Sequence, residues 1–155
     1  MLVPVHGERD RVLVDRATRF AGAVLEQAPP AAGTVAAHLE ATGPAEHVTP
    51  RSAPGAAWFV LTTPGDSPRD WLRAGEALER VLLEVVRHGW QAAPFSRPTE
   101  VPAARTLLQE GLTGDLHPQV LVRVGRADPV EPAPRRRAVD VVEDRTCFPA
   151  PPGAT

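Results

Sequence analysis

The 155-residue chain contains no Lys, Tyr, Ile or Asn, and only one Cys and one Met. Its 17 basic residues are therefore all Arg, set against 19 Asp+Glu for a net charge of −2. That balance excludes a general electrostatic attraction to nucleic acid or to an anionic membrane as the default reading. A single cysteine, Cys147, excludes an internal disulfide and any zinc or iron–sulfur site built from several cysteines. No apolar run approaches the ~18 residues that span a bilayer. The opening Met1-Leu-Val-Pro-Val-His-Gly7 has neither a basic flank nor a long apolar stretch, so it is not a signal-peptide pattern. A reducing, cytoplasmic compartment is expected. Gly-x-Gly-x-x-Gly and P-loop patterns are also missing, which removes the standard phosphate loops.

What is present is a composition rich in Ala, Arg, Pro and Gly, with 18 Pro and 12 Gly. Such a skew reads as GC-rich coding DNA rather than as a property of the fold. Hydrophobic residues make up 43% and charged residues 23%, which is ordinary for a globular protein and argues against disorder throughout. The length allows one domain with a real core, burying roughly 68–70% of the unfolded surface.

The clearest elements lie in the middle. Residues 57–62 (Ala-Trp-Phe-Val-Leu-Thr) form a continuous apolar run of strand length, suited to burial on both faces. Ser67-Pro68-Arg69-Asp70 then reads as a helix start, with Ser67 as cap, Pro68 at the first helical position and Asp70 reaching back. The helix is expected to run to about His88, with Trp71, Ala74, Leu78, Val81, Leu82 and Val85 as its apolar stripe and Gly89 as its stop. A brief strand is expected within residues 90–95, a shorter helix over 102–110 with Gly111 as its stop, and a strand over 119–124 with Val120, Val122 and Val124 on one face. The first third is less ordered. Residues 10–27 carry a helical face (Leu13, Ala17, Phe20, Val24), although 12–14 could equally begin a strand. Residues 34–41 suit two turns of helix, and 43–55 read as loop. Strands alternating with helices argue for an α/β or α+β layer structure.

Several short patterns invite catalytic readings. Gly65-Asp66-Ser67 follows a strand and precedes a helix, as in the nucleophile block of GDSL-type hydrolases. Those enzymes use an Asn in the oxyanion hole and an Asp-x-x-His block. This chain has no Asn, and its Asp115-Leu-His117 has the wrong spacing, so Ser67 reads as a helix cap. His38-Leu-Glu40 matches the start of a zinc deaminase signature, but the required Pro-Cys-x-x-Cys is absent. His38, Glu40, Glu46 and His47 have no standard ligand spacing, and no metal is expected. Arg135-Arg136-Arg137 is the densest charge cluster. It is either a solvated run or a phosphate clamp, because guanidinium offers forked donors that match phosphate oxygens.

Taken in order, Phe59-Val-Leu-Thr-Thr-Pro-Gly-Asp66, Asp70-Trp-Leu-Arg-Ala-Gly-Glu-Ala-Leu-Glu-Arg-Val-Leu-Leu83 and His88-Gly89 resemble the nitroreductase-like flavoproteins of the Acg type. The resemblance continues through Glu100-Val-Pro102, Arg105, Pro118-Gln119, Leu121-Val-Arg-Val-Gly125 and Pro134-Arg-Arg136. It covers about residues 57–143 and is similar to the C-terminal half of the family pattern. It implies an α+β, nitroreductase-like fold with a small mixed or antiparallel sheet flanked by helices, in an incomplete or divergent version. On this reading residues 1–56 form a divergent N-terminal segment of helical pieces and loop, 57–145 the nitroreductase-like half, and 146–155 a loose tail.

The resemblance also implies FMN as cofactor, with hydride passing from NAD(P)H through the flavin to a nitro or quinone-like acceptor. By carry-over, Arg135 and Arg136 would hold the FMN phosphate. The segment from Gly89 to Phe95, Pro94 included, would lie near the isoalloxazine ring, where a backbone N–H could meet the flavin N5 edge. The family usually has Pro where this chain has Arg137, and its early Arg-Arg-Ser-x-Arg motif and early Asn have no counterpart here. One chain is therefore expected to supply part of a flavin site, completed in a homodimer or by a partner chain. The alternatives are a non-catalytic flavin-binding or sequestering protein and a scaffold that has lost its ligand. Partners in nucleic acid or membrane are not expected.

Overall fold

A computed structural model of the chain describes residues 1–27 and 55–126. The expected helix over 34–41, the arginine cluster at 135–137, Cys147, and the His38/Glu40/Glu46/His47 group lie outside the described residues. Within them the chain runs β1 (Leu2–Pro4), α1 (Gly7–Gln27), β2 (Ala57–Thr63), α2 (Pro68–Arg87) and β3 (Gln91–Phe95). Then come α3 (Arg97–Glu100), α4 (Pro102–Leu108), a π-helical turn (Gln109–Thr113) and β4 (His117–Gly125). The described residues form an α+β structure built on one small antiparallel sheet.

The sheet order is β1-β2-β4-β3. β4 is central and pairs antiparallel with β2 from Ala57↔Val124 to Thr63↔His117, with a register shift between Leu61 and Thr62. It pairs with β3 from Gln91↔Gly125 to Phe95↔Leu121. Since β2 and β3 both oppose β4, they are parallel to each other, and α2 is the crossover that such a pair requires. With a strand start open only at 12–14, the sequence pattern anticipates helical pieces and loop before residue 57. β1 adds an edge strand there, too short for an alternation signal to register.

Burial explains the continuous apolar run of β2. On one face, Trp58, Val60 and Leu121 pack with Val14, Ala17 and Ala21 of α1 and Ala104 and Leu108 of α4. On the other, Leu61, Val120 and Val122 pack with Ala74 of α2, flanked by Ala77 and Leu78. The sheet is thus sandwiched between helices, which is why both faces of β2 and β4 are apolar. Val120, Val122 and Val124 share the α2 face, as their alternation predicts.

Residues 12–14 are helical, not extended. The face of α1 differs from the expected stripe by about one residue. Val14, Ala17 and Ala21 are fully buried, while Phe20 and Val24 are 42% and 40% exposed. Small side chains at 17 and 21 suit a close approach to the sheet and α4; Phe20 does not, and apolar periodicity alone does not distinguish them.

α2 begins as expected. Ser67 accepts from the Asp70 N–H and the Asp70 carboxylate accepts from the Ser67 N–H, a complete capping box with Pro68 at the start. It ends at Arg87, and Gly89 at φ +71° donates its N–H to the Val86 carbonyl at 2.9 Å. That left-handed conformation favours glycine. α4 does not stop at Gly111. It continues as a π-helical turn to Thr113. A Cβ at Gly111 would lie 2.5 Å from Leu13 Cδ2, so this glycine lets the turn press against α1.

Candidate functional site

At one end of the sheet, where β2 leaves and β4 enters, side chains from four different segments converge. Arg105 of α4 grips the Asp66 carboxylate with both terminal nitrogens, Nη1 to Oδ2 at 2.7 Å and Nη2 to Oδ1 at 2.6 Å. Trp71 donates its indole N–H to Asp66 Oδ1 at 2.7 Å, and Gln119 Nε2 reaches the same oxygen at 3.3 Å. Gln119 also donates to Thr63 Oγ1 at 2.7 Å, and Thr63 in turn donates to the Gly65 carbonyl. Arg105 Nε donates to the Pro118 carbonyl at 2.9 Å. The cluster ties the β2–α2 turn, α2, α4 and the start of β4 together.

The Arg105 hydrogen bonds, then the Trp71 hydrogen bond, hold the Asp66 carboxyl well below the usual carboxylate range. Asp66 is thus ionised throughout the physiological range and its oxygens are occupied. It is a poor general base and a good structural latch. Each of the four residues belongs to a motif quoted for the family resemblance. Their mutual contact was not legible, because Asp66 and Gln119 lie 53 positions apart.

Ser67 is engaged as a cap. Its hydroxyl donates to Asp70 Oδ2 at 2.6 Å and accepts the Asp70 N–H at 3.4 Å. Among the described residues it hydrogen-bonds to no histidine. Ser67→Ala is expected to cost about 1 kcal/mol of stability, read as a lower urea midpoint. An unchanged midpoint would contradict the capping role. Among the described residues no three His, Cys, Asp or Glu side chains gather as a metal site.

Of the residues named for flavin contact, Arg135 and Arg136 lie outside the described residues. Gly89 is exposed just after α2, and Pro94 is exposed on β3. Among the described residues β3 is the last strand of the sheet, bonded to β4 on one side only. Pro94 suits such an edge, since it has no N–H to give a ladder. Phe95 turns its ring inward, stacking on Trp58 with centroids 5.4 Å apart, and Arg123 lies 5.9 Å from the ring centroid. Next to Gly89, Trp90 lies under the Arg126 guanidinium at 5.1 Å. The described part of this region is therefore an open strand edge with an aromatic–arginine pair at one end.

No family model matches the chain. Proteins of Mycobacterium tuberculosis are similar to it. One, named "Putative NAD(P)H nitroreductase", is 39% identical over 94 residues, covering 57% of this chain and 27% of that protein. Another, named "Putative NAD(P)H nitroreductase acg", is 37% identical over 87 residues, covering 54% of this chain and 26% of its own length. A third, an uncharacterized protein, is 37% identical over 92 residues, 56% of this chain and 26% of its length. The resemblance to Acg-type nitroreductases thus holds over more than half of the chain. The chain spans about a quarter of the length of the curated relatives it matches.

Proposed function

We propose that this chain forms part of an FMN-dependent oxidoreductase of the nitroreductase type, with a nitroreductase-like fold in incomplete form. The observation that carries the reading is the similarity to proteins named as NAD(P)H nitroreductases, joined to the convergence of Trp71, Arg105 and Gln119 on the Asp66 carboxylate. When bound, the flavin supplies hydride transfer between NAD(P)H and a nitro or quinone-like acceptor.

This chain's own residues would bind and orient it. Arg135 and Arg136 would hold the phosphate through forked, charge-assisted hydrogen bonds. The residues from Gly89 to Phe95 would border the ring. Two features support that placement. As an edge strand among the described residues, β3 offers alternate backbone N–H and C=O groups of the kind a flavin ring edge needs, Pro94 contributing no N–H. Gly125, the last residue of β4, pairs with Gln91, so the chain that carries the arginines leaves the sheet beside Gly89 and Trp90. Phe95 would contribute its backbone, since its ring is engaged with Trp58.

A second copy of the chain, or a partner chain, would complete the site. α2 supports this reading. Its Ala74, Ala77 and Leu78 face the sheet, while Leu72, Leu83 and Val86, about half a turn away around the helix, are 76%, 65% and 65% exposed. A helix apolar on both sides suits burial on both sides. Leu83→Glu is expected to weaken self-association by more than about tenfold, since it places a charge in a buried apolar contact. Sedimentation velocity reads this directly, and a wild-type chain that is monomeric at high concentration would contradict it. No helix among the described residues is long and apolar enough to cross a membrane, and a cytoplasmic setting accords with NAD(P)H as donor.

Turnover is tested by adding NADH or NADPH anaerobically to the flavin-loaded protein. Bleaching of the flavin colour, restored by a nitro or quinone acceptor, is the expected result. Bound flavin that neither nicotinamide bleaches would instead establish a flavin-holding protein without turnover.

A further inference from the structure

We draw no further inference here: the strongest candidate, the exposed apolar side of α2 at Leu72, Leu83 and Val86, belongs to the self-association reading already proposed, and nothing in the structure shows any other group that covers it.

Discussion

Arg105→Ala is expected to lower the unfolding free energy by about 2–3 kcal/mol. The guanidinium makes three hydrogen bonds, two to Asp66 and one to the Pro118 carbonyl. Breaking a fully buried pair costs about 3–5 kcal/mol because a charge is left uncompensated. Exposed pairs contribute about 0–1 kcal/mol. Here the side chains are 24% and 33% exposed, so water can reach the abandoned carboxylate and the loss falls between these limits. For a chain of this length that corresponds to a melting temperature lower by roughly 4–12 °C. An unaltered melting temperature would mean that the cluster is incidental to the fold.

The same latch sets an acid dependence. The Asp66 carboxyl titrates lower in the folded protein than in the unfolded chain. The unfolded state therefore binds the proton more readily, and stability falls as pH is lowered. The contribution is complete above the ordinary carboxylate range and is lost progressively below about pH 4. Asp66→Asn removes this titration while keeping an oxygen for Trp71. Its urea midpoint should sit below wild type near pH 6, and the gap should narrow towards pH 2.

How far the sequence was legible depends on the range over which each signal acts. The α2 start was plain because Ser67, Pro68 and Asp70 act within one turn, and the valines of β4 were plain because alternation is local. β1 left no pattern in three residues. Apolar periodicity does not fix the buried face of α1, because Leu13, Val14, Ala17, Phe20 and Ala21 are all apolar and only the shape of the surface beneath selects among them. Gly111 resembled a helix stop, yet its role is set by Leu13 in another element. At the candidate site the members of the Asp66 cluster were visible as motif residues. Their meeting point was not, because it depends on the sheet bringing β2 and β4 together.

Replacing both Arg135 and Arg136 by Ala is expected to weaken FMN binding by well over tenfold. Each charged hydrogen bond to a phosphate is worth about 1.5–3 kcal/mol, so loss of both compounds to at least a hundredfold if each arginine contributes. The loss should be greatest at low salt, because ionic screening already weakens exposed charge contacts in the wild type. Arg11→Ala, an exposed arginine on α1, serves as the control for a general change in charge and should leave affinity near wild type. Riboflavin, which lacks the phosphate, should bind the wild type and the double variant alike. Equal FMN affinity in the two proteins would reduce the arginine cluster to a solvated run.

The most direct test of the central claim is titration of the purified chain with FMN, followed by flavin fluorescence and visible absorbance. The account predicts saturable binding with a shifted flavin spectrum, one flavin per assembled site. A colourless protein that leaves the spectrum and fluorescence of added FMN unchanged would contradict it.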